Sequence, residues 1–182
     1  YAFWKEFWWH RRHIVKRFKL RRGMRMLEIA SGRGCHTNVF NRLGMDCVGV
    51  ERSQTAVRQA RGRYPRWTYH CCDATEPLPV ALASFDVVLS RGYSPYHYDL
   101  RAEPALAATR TLLPYVKPGG RFIIIIVSDL SGRRPPDGVW HNRIEDYAQH
   151  FAVFGRRWTI DHVDGMVIGA LCRDVVRDGA GA

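Results

Sequence analysis

From residue 24 onward, short apolar runs alternate with amphipathic stretches. Residues 24–29, 46–50, 67–72 and 85–90 (FDVVLS) are apolar rather than alternating, the pattern of strands covered on both faces. Residues 121–127 (RFIIIIV) make the strongest such run, and Pro118-Gly119-Gly120 before it predicts a turn. Between the runs, 36–43, 53–63 and about 103–113 carry helical periodicity. Gly44 ends the first helix, Ser53 is a candidate N-cap of the second, and Pro104 is tolerated in the first turn of the third. Near the end, 158–163 and 166–172 are strand-like and are joined by Asp164-Gly165, a hairpin signal. Strands alternating with helices imply an α/β fold, a mostly parallel sheet with helices on both faces, here finishing in an antiparallel hairpin. Upstream, residues 2–19 read as a helix with Phe3, Phe7, Ile14 and Phe18 on one stripe, Trp4, Trp8 and Val15 beside it, and His10-Arg11-Arg12-His13 interrupting it. The expected organisation is an N-terminal helical arm, residues 1–22, and one domain, residues 23–182.

Composition changes this picture in three places. The 182 residues are 46% hydrophobic and 25% charged, ordinary for a globular domain. The longest apolar run, 122–127, is too short to span a bilayer, and no signal-peptide pattern opens the chain, so the cytoplasm is the expected compartment. The chain begins at Tyr1, which leaves room for residues before it. Five cysteines, at 35, 47, 71, 72 and 172, are odd in number and include no C-x-x-C pair. They argue for reduced thiols and against a disulfide framework or a structural zinc site, and no metal is expected. The net charge is +11, and residues 1–25 carry nine Lys or Arg against one acid, so the basicity belongs to the arm.

The chemistry starts at MLEIASGRGCHT, residues 26–37, where an apolar run meets a Gly-Arg-Gly turn. The dinucleotide fingerprint needs a small residue where Thr37 stands. A pyrophosphate would also face the Glu28 carboxylate at a cost, whereas a ligand carrying an ammonium and a sulfonium would be favoured. S-adenosylmethionine carries both and no phosphate. The closing hairpin points the same way. With L-E-I-A-S-G-R-G at 27–34, V-G-V-E-R-S at 48–53, C-D-A at 72–74, F-D-V-V-L-S at 85–90 and L-L-P-Y-V-K-P-G-G-R-F at 112–122, the chain resembles the class I S-adenosylmethionine-dependent methyltransferases over residues 20–175. The resemblance implies a single-domain Rossmann-like fold with seven strands. It also implies a cofactor site. Glu28 would act on the methionine ammonium, Gly32 and Gly34 would form the turn beneath the cofactor, and Glu51 would accept the ribose hydroxyls. Asp73 would receive the adenine amino group with Ala74 beside the ring, and Ser90 and Arg91 would line the transfer region. Ala30 and Ser31 replace residues that are commonly Gly and Cys, and Ala30 and Arg52 complete the expected cofactor contacts.

Methyl transfer from a sulfonium needs donor and acceptor in line, and a base only where the acceptor loses a proton. Ligands of open α/β sheets bind beyond the carboxyl ends of the strands, which is where residues 91–99 (RGYSPYHYD) must lie. His97 is the first candidate base, with a structural histidine as the alternative, and Tyr93, Tyr96 and Tyr98 are candidate acceptor contacts. A second candidate region is 128–151. Its loop 129–138 is long enough for a lid, and Trp140, His141 and Arg143 follow it and start a helix through about residue 151. His141 is a second candidate base; Trp140 and Arg143 are candidate substrate contacts. The arm has three readings: a packing helix over the cleft, which its apolar stripe favours, a nucleic-acid contact, or a membrane-surface contact. The leading expectation is a methyltransferase acting at oxygen on a small-molecule or saccharide-like acceptor. The rivals are an RNA or DNA methyltransferase using the basic arm and a non-catalytic cofactor-fold partner protein.

Overall fold

The computed structural model describes residues 2–174. Residues 175–182, the end of the expected domain, lie outside the described residues. Seven strands form one sheet in the order β3-β2-β1-β4-β5-β7-β6. The strands are β1 (Arg25–Ile29), β2 (Asp46–Glu51), β3 (Tyr69–Cys71), β4 (Phe85–Arg91), β5 (Val116–Val127), β6 (Trp158–Val163) and β7 (Met166–Cys172). The helices are α1 (Phe3–His10), α2 (Cys35–Arg42), α3 (Gln54–Arg63), α4 (Glu103–Leu112) and α5 (Ile144–Ala152). The first five strands pair in parallel, and β7 pairs antiparallel with both β5 and β6. This is the expected α/β fold with its closing hairpin. Ser53 caps α3, its Oγ accepting from Ala56 N–H at 3.3 Å.

The isoleucine run explains the two faces. Phe122, Ile124 and Ile126 join one buried cluster, on the side of α4 and α5. Ile123 and Ile125 point the other way, into a cluster completed by Ile14, Phe18 and Leu20 of the arm and Phe40 of α2. The arm therefore covers sheet surface.

Four sequence expectations shift. The helix over 2–19 is α-helical only to His10; Arg11–Lys16 form a wider π turn. A four-residue spacing from His10 through Ile14 to Phe18 is kept in line by that i→i+5 turn, which is how the interrupting charges are accommodated. Pro118-Gly119-Gly120 lies inside the span of β5, not before it. Pairing with β4 jumps from Phe85↔Val116 to Val87↔Arg121, so residues 117–120 bulge out. The third strand is shorter than 67–72, because Trp67 turns its Nε1–H to Asn38 Oδ1 at 3.0 Å. Trp140 and His141 do not start a helix: α5 begins at Ile144, after Arg143 as its N-cap residue.

Candidate active site

A cleft of about 330 Å³ opens beyond the carboxyl ends of β1 to β4. Its walls include Ala30, Glu51, Arg52, Asp73, Ala74, Gly92 and Tyr93. Ala30, Glu51, Arg52, Asp73 and Ala74, half of the ten expected cofactor residues, are thus gathered in one place. Glu51 ends β2 with both oxygens anchored: Oε2 accepts from Gly32 N–H at 3.0 Å and Oε1 from Ser53 N–H at 2.8 Å. A carboxylate held this way is fixed in direction while keeping lone pairs for a diol. Asp73 forms an Asx turn, its Oδ1 accepting from the Thr75 N–H and hydroxyl at 2.9 Å each. These bonds hold its carboxyl below the ordinary value.

Ala30 takes φ 58° at the cleft wall, a left-handed conformation uncommon for a residue with a Cβ. Gly32, φ 54°, has open space where a Cβ would stand, as a backbone passing beneath a ligand requires. The need for glycine at 34 is different. A Cβ there would come within 2.5 Å of the Tyr69 hydroxyl, so internal packing already demands it. Glu28 is buried and accepts from the Thr37 hydroxyl, with His36 Nδ1 at 3.6 Å from its other oxygen. Burial raises its carboxyl above the ordinary range.

The residues expected around the acceptor separate into groups. Tyr93 lines the cleft, and its buried hydroxyl has no partner among the described residues; Ser90 Oγ, at the end of β4, is in the same state. Buried polar groups are rarely left so. Tyr96 is not a pocket residue. It is fully buried, and its hydroxyl lies 2.9 Å from Thr109 Oγ1, which in turn meets His150 Nε2 at 2.8 Å. His97 is half-buried at the end of a 3₁₀ turn, Ser94–His97. Its ring is bonded to the Gly92 backbone, and burial lowers its pKa, so the imidazole is neutral. His141 is engaged elsewhere: its Nδ1 accepts from Asp129 N–H at 3.0 Å and so braces the 128–143 loop. That loop is tied to the one after β4, since Trp140 N–H donates to His97 O at 2.7 Å and Asn142 Nδ2 to Tyr98 O at 2.7 Å. Tyr98 and Trp140 meet edge to face with ring centroids 6.4 Å apart, and Arg134 is stacked 4.6 Å over Trp140. Arg143, expected at the substrate, instead lies exposed against Gly132.

Arg91, expected at the transfer region, is turned toward the arm. Its Nη1 donates to Glu6 Oε2 at 2.5 Å and lies 2.8 Å from His36 Nε2. Trp9 Nε1 donates to Asp164 Oδ2 at 2.9 Å, and Arg17 pairs with Asp161, so the arm is also fastened to the hairpin. Nothing in the sequence signalled these partners, because each joins distant elements.

Comparison with known proteins gives the family. The methyltransferase domain family matches residues 27–124, more than half of the chain. The chain belongs to the class I S-adenosylmethionine-dependent methyltransferases. It is 30% identical over 139 residues to the demethylmenaquinone methyltransferase of Paenarthrobacter aurescens, covering 75% of this chain and 50% of that protein. It is 31% identical over 115 residues to the enzyme of that name from Beutenbergia cavernae, covering 63% of this chain and 45% of that one. The chain therefore spans about half the length of these curated relatives. The fold matches Haemonchus contortus phosphoethanolamine N-methyltransferase 2, solved with S-adenosyl-L-methionine, at TM-score 0.72 and 18% identity, over 92% of this chain and 53% of that one. Among the described residues, no helix is long and apolar enough to cross a membrane.

Proposed function

We propose that the chain transfers the methyl group of S-adenosylmethionine to a small-molecule acceptor, at oxygen. The observation that carries the reading is the doubly anchored Glu51 in a cleft shared with Asp73, Ala30 and Tyr93. Glu51 would hold the ribose diol and Asp73 the adenine amino group, with Ala74 against the ring. When bound, the cofactor supplies an already activated methyl, so the protein's part is alignment and, for a hydroxyl acceptor, removal of one proton. His97 would take that proton: its ring lies behind Gly92 of the cleft wall and is bonded to the Gly92 backbone, and burial lowers its pKa. The arm is joined through Glu6 to Arg91 at the end of β4, and there it would narrow the approach in favour of a small acceptor. The curated relatives named for demethylmenaquinone support a small acceptor too.

The test is a screen of labelled methyl transfer from S-adenosylmethionine to a fractionated metabolite extract, repeated with His97→Ala. The expected result is transfer to a small hydroxylated acceptor. Turnover should fall about 10²–10⁴-fold in the variant while cofactor affinity holds. The wild-type rate should rise with pH along a limb on the acid side of about 6.5, the ordinary imidazole value, because burial moves His97 downward. Near-wild-type turnover in His97→Ala returns that residue to a structural role.

One surface favours nucleic acid instead. A groove of about 730 Å³ beside the arm is lined by Phe3, Trp4, Phe7, Arg42, Arg63 and Tyr64, and Trp8 is exposed with Arg11 5.1 Å over its ring. Aromatic faces with cations suit stacked bases and phosphates. A salt-dependent gel shift with single-stranded RNA would support this reading; its absence at low salt would remove it.

A further inference from the structure

Beside the cofactor cleft, three metal-ligating side chains converge. Glu6 and His10 stand four residues apart on one face of α1, and His36 comes from the first turn of α2. One ligand atom of each lies within 4.8 Å of the other two. Glu6 Oε2 is 3.6 Å from His36 Nε2, near the roughly 3.4 Å that separates two ligands each about 2.1 Å from a tetrahedral ion. The imidazoles are also aimed. His10 Nδ1–H donates to the Glu6 carbonyl oxygen at 2.7 Å, which leaves its lone pair on Nε2. His36 Nε2 faces a guanidinium that can only donate, so its proton sits on Nδ1, the side of Glu28 Oε1 at 3.6 Å. An acceptor behind each ring is the arrangement that orients metal-bound histidines.

A cation already occupies the point where these donors meet. Arg91 Nη1 lies 2.5 Å from Glu6 Oε2, 2.8 Å from His36 Nε2 and 3.4 Å from His10 Nε2. Arg91 is in part open to solvent, its side chain 20% exposed; in the same position its guanidinium lies 5.5 Å over the Trp9 ring and Nη2 reaches the Met166 sulfur at 3.7 Å.

We propose that Glu6, His10 and His36 bind one divalent transition-metal ion of the zinc class, in exchange for the guanidinium of Arg91. Two imidazoles and a carboxylate are an ordinary zinc ligand set that leaves a fourth position for water or an acceptor heteroatom. The ion would fasten the arm to α2 beside the end of β4. The inference does not depend on the identity of the acceptor.

The experiment is calorimetric titration of the chelator-treated protein with Zn²⁺, and spectroscopic titration with Co²⁺. Wild type, Glu6→Gln and Arg91→Ala are compared, each first checked for a cooperative thermal transition. The expected result is one ion per chain in wild type and visible Co²⁺ bands of low coordination without a thiolate charge-transfer band. Affinity should fall more than about tenfold in Glu6→Gln, since even outer-shell losses cost that much. It should rise in Arg91→Ala, where the competing cation is gone. Zn²⁺ should also raise the melting temperature of wild type and not that of Glu6→Gln. The proposal is overturned by no saturable binding in wild type and Arg91→Ala alike. Binding unchanged by Glu6→Gln, or a thiolate band placing the metal on the cysteines, overturns it equally.

Discussion

Ala30 shows how a single side chain reports on the site. At φ 58° it holds a left-handed conformation that costs an L-residue about 1–2 kcal/mol. Ala30→Gly removes that strain and adds about 0.5–1 kcal/mol of unfolded-chain freedom. The variant should be more stable by on the order of 0.5 kcal/mol, read as a higher urea midpoint at unchanged slope; a lower midpoint would show that the turn is unstrained. The acidic residues of the cleft could be found in the sequence, because each ends or follows a strand at a fixed place in the α/β pattern. The tyrosines could not be sorted. Tyr93, Tyr96 and Tyr98 look alike in RGYSPYHYD, and only the 3₁₀ turn sends Tyr96 into the core while Tyr98 stays exposed. Arg91 ends β4 as the sequence pattern implies, but its partner Glu6 stands 85 residues earlier in the chain and no local pattern marks it.

Among the elements, the N-terminal arm changes most between sequence and structure. Its apolar stripe marked a packing surface, and the structure puts Ile14 and Phe18 against β5 and β7. Its polar half was unreadable, because Glu6 and His10 acquire meaning only next to His36 and Arg91. Ile14 is fully buried, so Ile14→Ala should cost about 2–5 kcal/mol, seen in chemical denaturation. A loss under 0.5 kcal/mol would mean that the arm does not share the core. The closing hairpin is marked in the sequence by its two strand-like runs and the Asp164-Gly165 between them. The bulge in β5 was not, because Pro-Gly-Gly signals a turn in the sequence while the sheet absorbs it as an outward loop.

Taken together, the fold keeps His150 and His97 neutral. His150 is buried, its Nδ1 donating to Leu100 O at 2.6 Å and its Nε2 accepting from the Thr109 hydroxyl at 2.8 Å, and burial lowers its pKa. His97 shifts in the same direction. In the unfolded chain both return to about 6.5, so that state takes up protons first as pH falls. Stability is therefore full above about pH 6.5 and lost below it. The urea midpoint should drop between pH 7.5 and 5.5, and His150→Asn should flatten that drop. A midpoint that rises toward acid would reverse the assignment. The central claim is that the cleft beyond β1 to β4 holds S-adenosylmethionine through Glu51. Isothermal calorimetry of S-adenosylmethionine against wild type and Glu51→Ala tests it most directly, with a nicotinamide dinucleotide as the control ligand. The account predicts one site per chain, no dinucleotide binding, and a loss of about 1.5–3 kcal/mol in the variant, or roughly 10- to 150-fold in dissociation constant. An unchanged dissociation constant in Glu51→Ala would contradict it.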